Sequence, residues 1–213
     1  MRRILCFGDS NTYGYDPRGG RYDENTRWTK RLDALLGDGW TVVEEGFNGR
    51  TCVMDDPTEG GYKSGANYLP PCLMSHNPLD MVAIMLGGND SKQRFGLNPM
   101  TIGEGIMQLI RLTRLYAADA AGNPSKILLI APPPFREELR RTRYWDVFGQ
   151  QALEVTRGLA AEYARVARLL RCEFLDAGAV AKLSEIDALH FTREDHLRLA
   201  EAVCAKVKDA FKD

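Results

Sequence analysis

Long apolar runs are missing from this chain. No stretch approaches the ~18 consecutive apolar residues of a membrane-spanning helix, so no membrane partner is expected. A charge excess of one sign is missing too. The 28 Lys and Arg nearly balance 29 Asp and Glu, and a net charge of -1 gives nucleic acid nothing to bind. The nearest thing to a basic patch is Arg136, Arg140, Arg141 and Arg143. It is interleaved with Glu137 and Glu138 and reads as a solvated loop or subunit contact. The cysteines (Cys6, Cys52, Cys72, Cys172, Cys204) are scattered, odd in number and without a Cys-x-x-Cys pair. That excludes a disulfide framework and a zinc knuckle, and points to reduced thiols in a cytoplasmic protein. Behind Arg2 and Arg3 there is neither an extended apolar region nor a small-residue cleavage site, so no signal peptide is expected. Histidine is scarce, and His76, His190 and His196 share no zinc-like spacing with acidic residues, so no metal is expected. Gly-x-Gly-x-x-Gly, Gly-x-x-x-x-Gly-Lys-Ser/Thr and Gly-x-Ser-x-Gly do not occur. Their absence disfavours a nucleotide-binding enzyme and an α/β-hydrolase elbow. Repeats and linkers are absent as well. The 213 residues read as one domain, 1–213, large enough for a real core.

What is present is an alternation of apolar strands and amphipathic helices. Ile4–Phe7 is a buried-strand run punctuated by Gly8, and Trp28, Leu32, Leu35 and Leu36 repeat at helical spacing before Gly37. Thr41–Glu45 reads as a second strand ending at Gly46. Residues Phe47–Pro78 are rich in glycine and proline, with a helical candidate only near Tyr68–His76. A loop this long with apolar residues to pack reads as a structured rim around a site. Asp80–Leu86 is a third strand running into Gly87-Gly88-Asn89-Asp90, and a helix follows from about Pro99. Lys126–Ala131, a helix with period Phe148, Ala152, Val155, Leu159, Tyr163, a strand near Cys172–Leu175 and a last helix through Leu197–Phe211 complete the order. This is the α/β class: a flavodoxin-like three-layer α/β/α sandwich on a five-stranded parallel sheet of order 2-1-3-4-5. Its strands point their carboxyl ends at one rim.

Ser10, Gly49, Asn89 and the segment after the fifth strand should all gather at that rim. Ser10 sits where the first strand hands over to a turn, exposed and fixed as a nucleophile must be; alone, it could equally be a helix cap. His190 has Asp187 three residues upstream, close enough to hold one ring nitrogen and leave the other for a serine proton. Asp187 could instead cap the final helix. The Ser10 N–H, the Gly49 N–H and the Asn89 amide are donors suited to a developing oxyanion. Each has an ordinary turn role open to it, but four such positions following four different strands form a pattern.

These residues resemble the SGNH hydrolases, also called GDSL esterases and lipases. The blocks are Gly8-Asp9-Ser10, Gly49 in Asn48-Gly49-Arg50-Thr51, Gly87-Gly88-Asn89-Asp90, and Asp187-Ala188-Leu189-His190. Within the family the chain is most similar to the bacterial arylesterase and acyltransferase subgroup, through Asp55-Asp56-Pro57, Tyr68-Leu69-Pro70, Pro78-Leu79-Asp80, Asn89-Asp90-Ser91-Lys92 and Pro132-Pro133-Pro134. The resemblance implies Ser10 as nucleophile, His190 as base, Asp187 as its orienter, and Ser10, Gly49 and Asn89 as the oxyanion hole. It implies a small-molecule ester substrate, hydrolysis with transfer of short acyl groups as a side activity, no cofactor, and a homo-oligomer. The chain departs from the subgroup at Asn11, where a small apolar residue commonly follows the nucleophile, and at Tyr13 and Tyr15, where tryptophan can occur. Asn11, Tyr15, Phe95 and Phe191 are the expected substrate-binding residues. Trp28, Tyr68, Phe135 and Trp145 are further aromatic candidates for a pocket wall.

The rival from another class is a flavodoxin-like redox module holding the phosphate of FMN on Ser10-Asn11-Thr12-Tyr13-Gly14. It accounts for the fold but leaves Gly49, Asn89 and the Asp187/His190 pair without a role.

Overall fold

Along each inner strand, successive side chains feed two different cores. In the computed structural model, which describes residues 1–212, β1 (Arg2–Gly8) sends Ile4 and Cys6 to one face and Leu5 and Phe7 to the other. β3 (Met81–Met85) and β4 (Lys126–Ala131) divide in the same way, Met81 and Leu128 to the first face, Val82 and Leu129 to the second. Both faces of these strands must therefore be covered, which is why their sequences are continuously apolar rather than alternating. β2 (Trp40–Gly46) and β5 (Glu173–Asp176) form the edges and are less buried. All pairings are parallel, in the order β2-β1-β3-β4-β5.

On the first face lie α2 (Trp28–Leu36) and α6 (Arg193–Ala210), packed on each other. The second is covered by α3 (Gly65–His76), α4 (Pro99–Tyr116) and α5 (Trp145–Leu170). The start of α5 serves both: Phe148 and Ala152 join the first core, Val155, Leu159 and Tyr163 the second. Each fully buried Leu, Ile or Phe contributes about 1.5–3 kcal/mol, so the two cores hold most of the favourable free energy.

Local chemistry sets the boundaries. Asn98 caps α4 by accepting from the Thr101 N–H at 3.0 Å, with Pro99 favourably at the first helical position. Thr192 caps α6 through the Asp195 N–H. α3 begins at Gly65, capped by Ser64, earlier than the start near Tyr68 expected from the sequence, and Pro70 and Pro71 sit inside it. Gly149 (φ 63°, ψ -171°) breaks α5 near its start, where Gln93 occupies the space a side chain would need.

The register aligns Gly8 with Gly46 and with Met85, so the carboxyl ends of three strands finish level. There α1, a single turn (Ser10–Tyr13), lies directly on the end of β2. A Cβ at Gly46 would come within 2.5 Å of the Thr12 carbonyl carbon and the Tyr13 Cα. Only glycine lets that turn sit so low.

Candidate active site

The turn after β1 is organised by Asp9, not Ser10. Asp9 Oδ1 accepts from the Asn11 N–H at 2.9 Å, and its carbonyl accepts from the Thr12 and Tyr13 N–H groups at 3.1 and 2.9 Å. Capping is thus done by the neighbour, and the Ser10 hydroxyl is free for other work. It meets His190 Nε2 at 2.8 Å. The Asn11, Thr12, Tyr13 and Gly14 N–H groups all have acceptors in Asp9 or Ser10. No nest of free donors remains in the turn to cradle a phosphate, which counts against the FMN rival.

His190 and Asp187 come from the loop between β5 and α6. Asp187 Oδ1 accepts from the Leu189 and His190 N–H groups at 3.1 and 3.0 Å, and Oδ2 meets His190 Nδ1 at 2.6 Å. Folding the chain back this tightly puts Ala188 at φ +64°, a left-handed conformation costly for a residue with a Cβ. Since Thr192 caps α6, Asp187 has no capping duty there. Both Asp187 and His190 are buried.

Asn89 opens the turn after β3. Its Nδ2 donates to the Arg50 carbonyl at 3.1 Å and lies 3.4 Å from Asp9 Oδ2. Gly49 holds φ +79° on the rim, and a Cβ there would lie 2.7 Å from Glu59 Oε2. Among the described residues, the Ser10 and Gly49 N–H groups have no acceptor within the protein. Ser10, Gly49, Asn89 and His190 all border one cleft of about 430 Å³.

The 47–64 rim is fastened rather than loose. The Cys52 N–H donates to both Asp90 carboxylate oxygens at 2.9 and 3.1 Å. Lys92, almost wholly buried, pairs with Asp56 at 2.9 Å and Glu59 at 2.7 Å, and Arg94 reaches Asp56 at 3.0 Å. Burial pushes the Asp9 and Asp90 carboxyls up to about 6, against an ordinary 3.8; for Asp9 the Asn11 N–H, His190 and Arg50 pull the other way.

Of the expected substrate-binding residues, Asn11 and Tyr15 border the cleft, and Phe95 and Phe191 do not. Phe191 is fully buried and packs edge-on to His196, its ring turned into the first core. Phe95 sits in a short turn, Gln93–Phe95, packed against α5. Trp28 is core, and Tyr68 and Trp145 also lie off the cleft. Phe135 lines it, joined by Tyr144, Val147 and Leu183 and by Phe148, which also belongs to the helical period read from the sequence. The Pro132-Pro133-Pro134 run was the available signal, because it marks the strand end from which that wall is built. Tyr15 and Tyr144 flank the His190 ring at centroid distances of 4.5 and 6.4 Å. The lining also has polar members from the 47–64 segment: Asn48, Glu59 and Lys63.

The other histidines stand apart. His76 pairs with Glu45 at 2.9 Å. His196 is buried with Nδ1 accepting from the Trp28 N–H at 3.3 Å, and burial pushes it down to about 3. Glu45, Cys72 and His76 form the one group among the described residues with ligand atoms close enough to share a cation. It lies off the cleft, and the buried Arg50 guanidinium beside Cys72 and Tyr68 opposes a second positive charge.

A model of the GDSL-like Lipase/Acylhydrolase family matches residues 6–198. Among solved structures, Est24, a carbohydrate acetylesterase from Sinorhizobium meliloti, is 36% identical with a TM-score of 0.93, over 99% of this chain and 100% of that one. The aryl esterase of M. smegmatis is 35% identical with a TM-score of 0.91, over 98% and 99%. A lipolytic G-D-S-L protein of Veillonella parvula, at 16% identity and a TM-score of 0.67 over 99% and 98%, shares the fold. No curated protein matches the chain. Block order, strand order and full-length similarity agree: the chain belongs to the GDSL-like lipase/acylhydrolase family, and ester hydrolysis is the chemistry that this membership carries.

Proposed function

We propose that this protein is a serine esterase that removes short acyl groups, acetyl foremost, from carboxylic esters through an acyl-enzyme on Ser10. One observation carries the proposal: the continuous hydrogen-bonded chain Ser10 Oγ, His190 Nε2, His190 Nδ1, Asp187 Oδ2, at 2.8 and 2.6 Å. His190 Nε2 takes the hydroxyl proton as Ser10 Oγ attacks the ester carbonyl, and Asp187 stabilises the imidazolium. The tetrahedral oxyanion is received by the Ser10 and Gly49 N–H groups and by Asn89 Nδ2, which exchanges its long contact with Asp9 for the substrate. Collapse expels the alcohol, which takes the proton from His190. Water then attacks the acyl-enzyme with the same base, releasing the acid and restoring Ser10. An alcohol in place of water would complete acyl transfer as a side activity.

A substrate with a polar alcohol moiety suits a cleft whose lining is mixed, with the polar Asn48, Glu59 and Lys63 beside the apolar Phe135 and Phe148. The carbohydrate acetylesterase among the similar structures supports this choice. Five free, scattered cysteines support a reducing cytoplasmic setting. The test is an acyl series of aryl esters, acetyl to decanoyl, on wild type and Ser10→Ala. Turnover should be greatest for acetyl to butyryl esters and vanish in Ser10→Ala. Inactivity of folded wild type on all of them, or undiminished activity of Ser10→Ala, would sink the reading.

A further inference from the structure

Asn11 borders the cleft, yet it is only 8% exposed and each polar atom of its amide is held by backbone. Nδ2 donates to the Leu189 carbonyl at 3.0 Å, and Oδ1 accepts from the Phe191 N–H at 3.1 Å. A carbonyl can only accept and an N–H can only donate, so these partners fix which way the amide points. They belong to the residues immediately before and after His190. The side chain that follows the nucleophile therefore grips the backbone on both sides of the base.

Elsewhere the His190 loop is closed on itself. The Ser184 N–H donates to the His190 carbonyl at 2.7 Å, and the Ala188 N–H to the Ser184 carbonyl at 2.9 Å. Asp187 receives the Leu189 and His190 N–H groups. These bonds set His190 relative to Asp187 but not relative to Ser10. Among the described residues, three hydrogen bonds join residues 9–15 to residues 183–192: the one Asn11 donates, the one it accepts, and the Ser10–His190 contact.

We infer that Asn11 is a positioning residue that sets the separation and alignment of Ser10 and His190, and is not a substrate contact. The inference rests on the Ser10–His190–Asp187 mechanism proposed above. Proton transfer depends steeply on geometry, and a displacement near 1 Å can cost about 10²-fold in rate. In Asn11→Leu, of similar size, the Leu189 carbonyl and Phe191 N–H lose their partners in a buried place. The loop then shifts toward water and takes His190 with it. Asn11→Asp keeps the acceptor for Phe191 but sets a carboxylate oxygen against the Leu189 carbonyl.

The experiment is a double-mutant cycle on folded, active-site-quantified protein with an activated aryl acetate. Asn11→Leu should lower kcat about 10- to 100-fold with KM changed by less than about threefold, and Asn11→Asp should fall between it and wild type. In a His190→Ala background, Asn11→Leu should cost nothing further, because the base it positions is gone. A change confined to KM, an unchanged kcat, or a full additional loss in the His190→Ala background would overturn the inference. If Asn11→Leu does not fold, Asn11→Asp carries the same cycle with the same criteria. Failure of the underlying mechanism reads differently: His190→Ala alone would then keep wild-type turnover.

Discussion

Asn89 has two acceptors in the resting site, and their unequal lengths set what the residue can do. The 3.1 Å bond to the Arg50 carbonyl orients the amide, while the 3.4 Å contact to Asp9 is weak enough to yield to a better partner. In the proposed mechanism that partner is the oxyanion. Asn89→Ala should therefore lower kcat by about 10²–10³-fold with the fold retained, the magnitude known for removing one such donor. Steady-state kinetics beside a thermal melt would check it, and near-full activity would remove Asn89 from the site. The Asp187–His190 pair can be tested at the same scale. Asp187→Asn supplies an amide that can no longer balance an imidazolium, so turnover should fall heavily while the protein stays folded. A pH–rate profile normalised to folded protein is the measurement, and an unchanged rate and profile would break the assignment.

At the level of elements, pH acts on packing in two opposite senses. His196, in the first turn of α6, is held down to about 3 by burial from an ordinary 6.5. The unfolded chain binds its proton more readily, so the stability it contributes is present above about pH 6.5 and is lost as pH falls toward 3. Asp9 and Asp90, raised to about 6 from 3.8, behave oppositely: their contribution is full below about pH 4 and is lost as pH rises through 6. His196→Gln removes only the first effect. The melting temperature of this variant relative to wild type should therefore climb as pH drops from 7 to 4. A difference that stays flat would show that His196 is not buried as described. The 47–64 rim offers a second test, because Asp56 and Lys92 form its buried anchor. Asp56→Ala leaves the Lys92 ammonium short of a partner and should cost about 3–5 kcal/mol in chemical denaturation. It should also raise KM, since Glu59 and Lys63 on the freed segment line the cleft.

For the whole molecule, parallel strand order is what turns distant residues into one site. Four turns following β1, β2 and β3 and preceding α6 converge because the carboxyl ends of a parallel sheet share one rim. Chelators should leave the esterase activity unchanged, because the only cation-capable group among the described residues lies off the cleft. Reversible loss of activity with EDTA, restored by one metal, would contradict that. No helix among the described residues is long and apolar enough to cross a membrane. Sedimentation velocity would test the homo-oligomer that the subgroup resemblance implies; a single monomeric species at micromolar concentration would reject it.

The sequence by itself determined the strand order, the two-faced burial of β1, β3 and β4, and which residues, Ser10, Gly49, Asn89, Asp187 and His190, were candidates for one site. Apolar periodicity depends on neighbours along the chain, and the four blocks keep their residue types at fixed places after particular strands. Tertiary structure decided what depends on partners far away in sequence. Phe191 was legible as an aromatic beside His190, but its inward turn is set by His196 and the first core. Phe95 lies beyond the cleft because its turn docks on α5, and Tyr144 reaches His190 from the segment after β4. The buried Lys92–Asp56 pair joins residues 36 apart; both lie in blocks that mark the subgroup, but neither block shows that the two side chains meet. Asn11 shows the difference most sharply. Its place after Ser10 was plain, but its two backbone partners lie 178 and 180 residues away, and only the folded chain brings them to its amide.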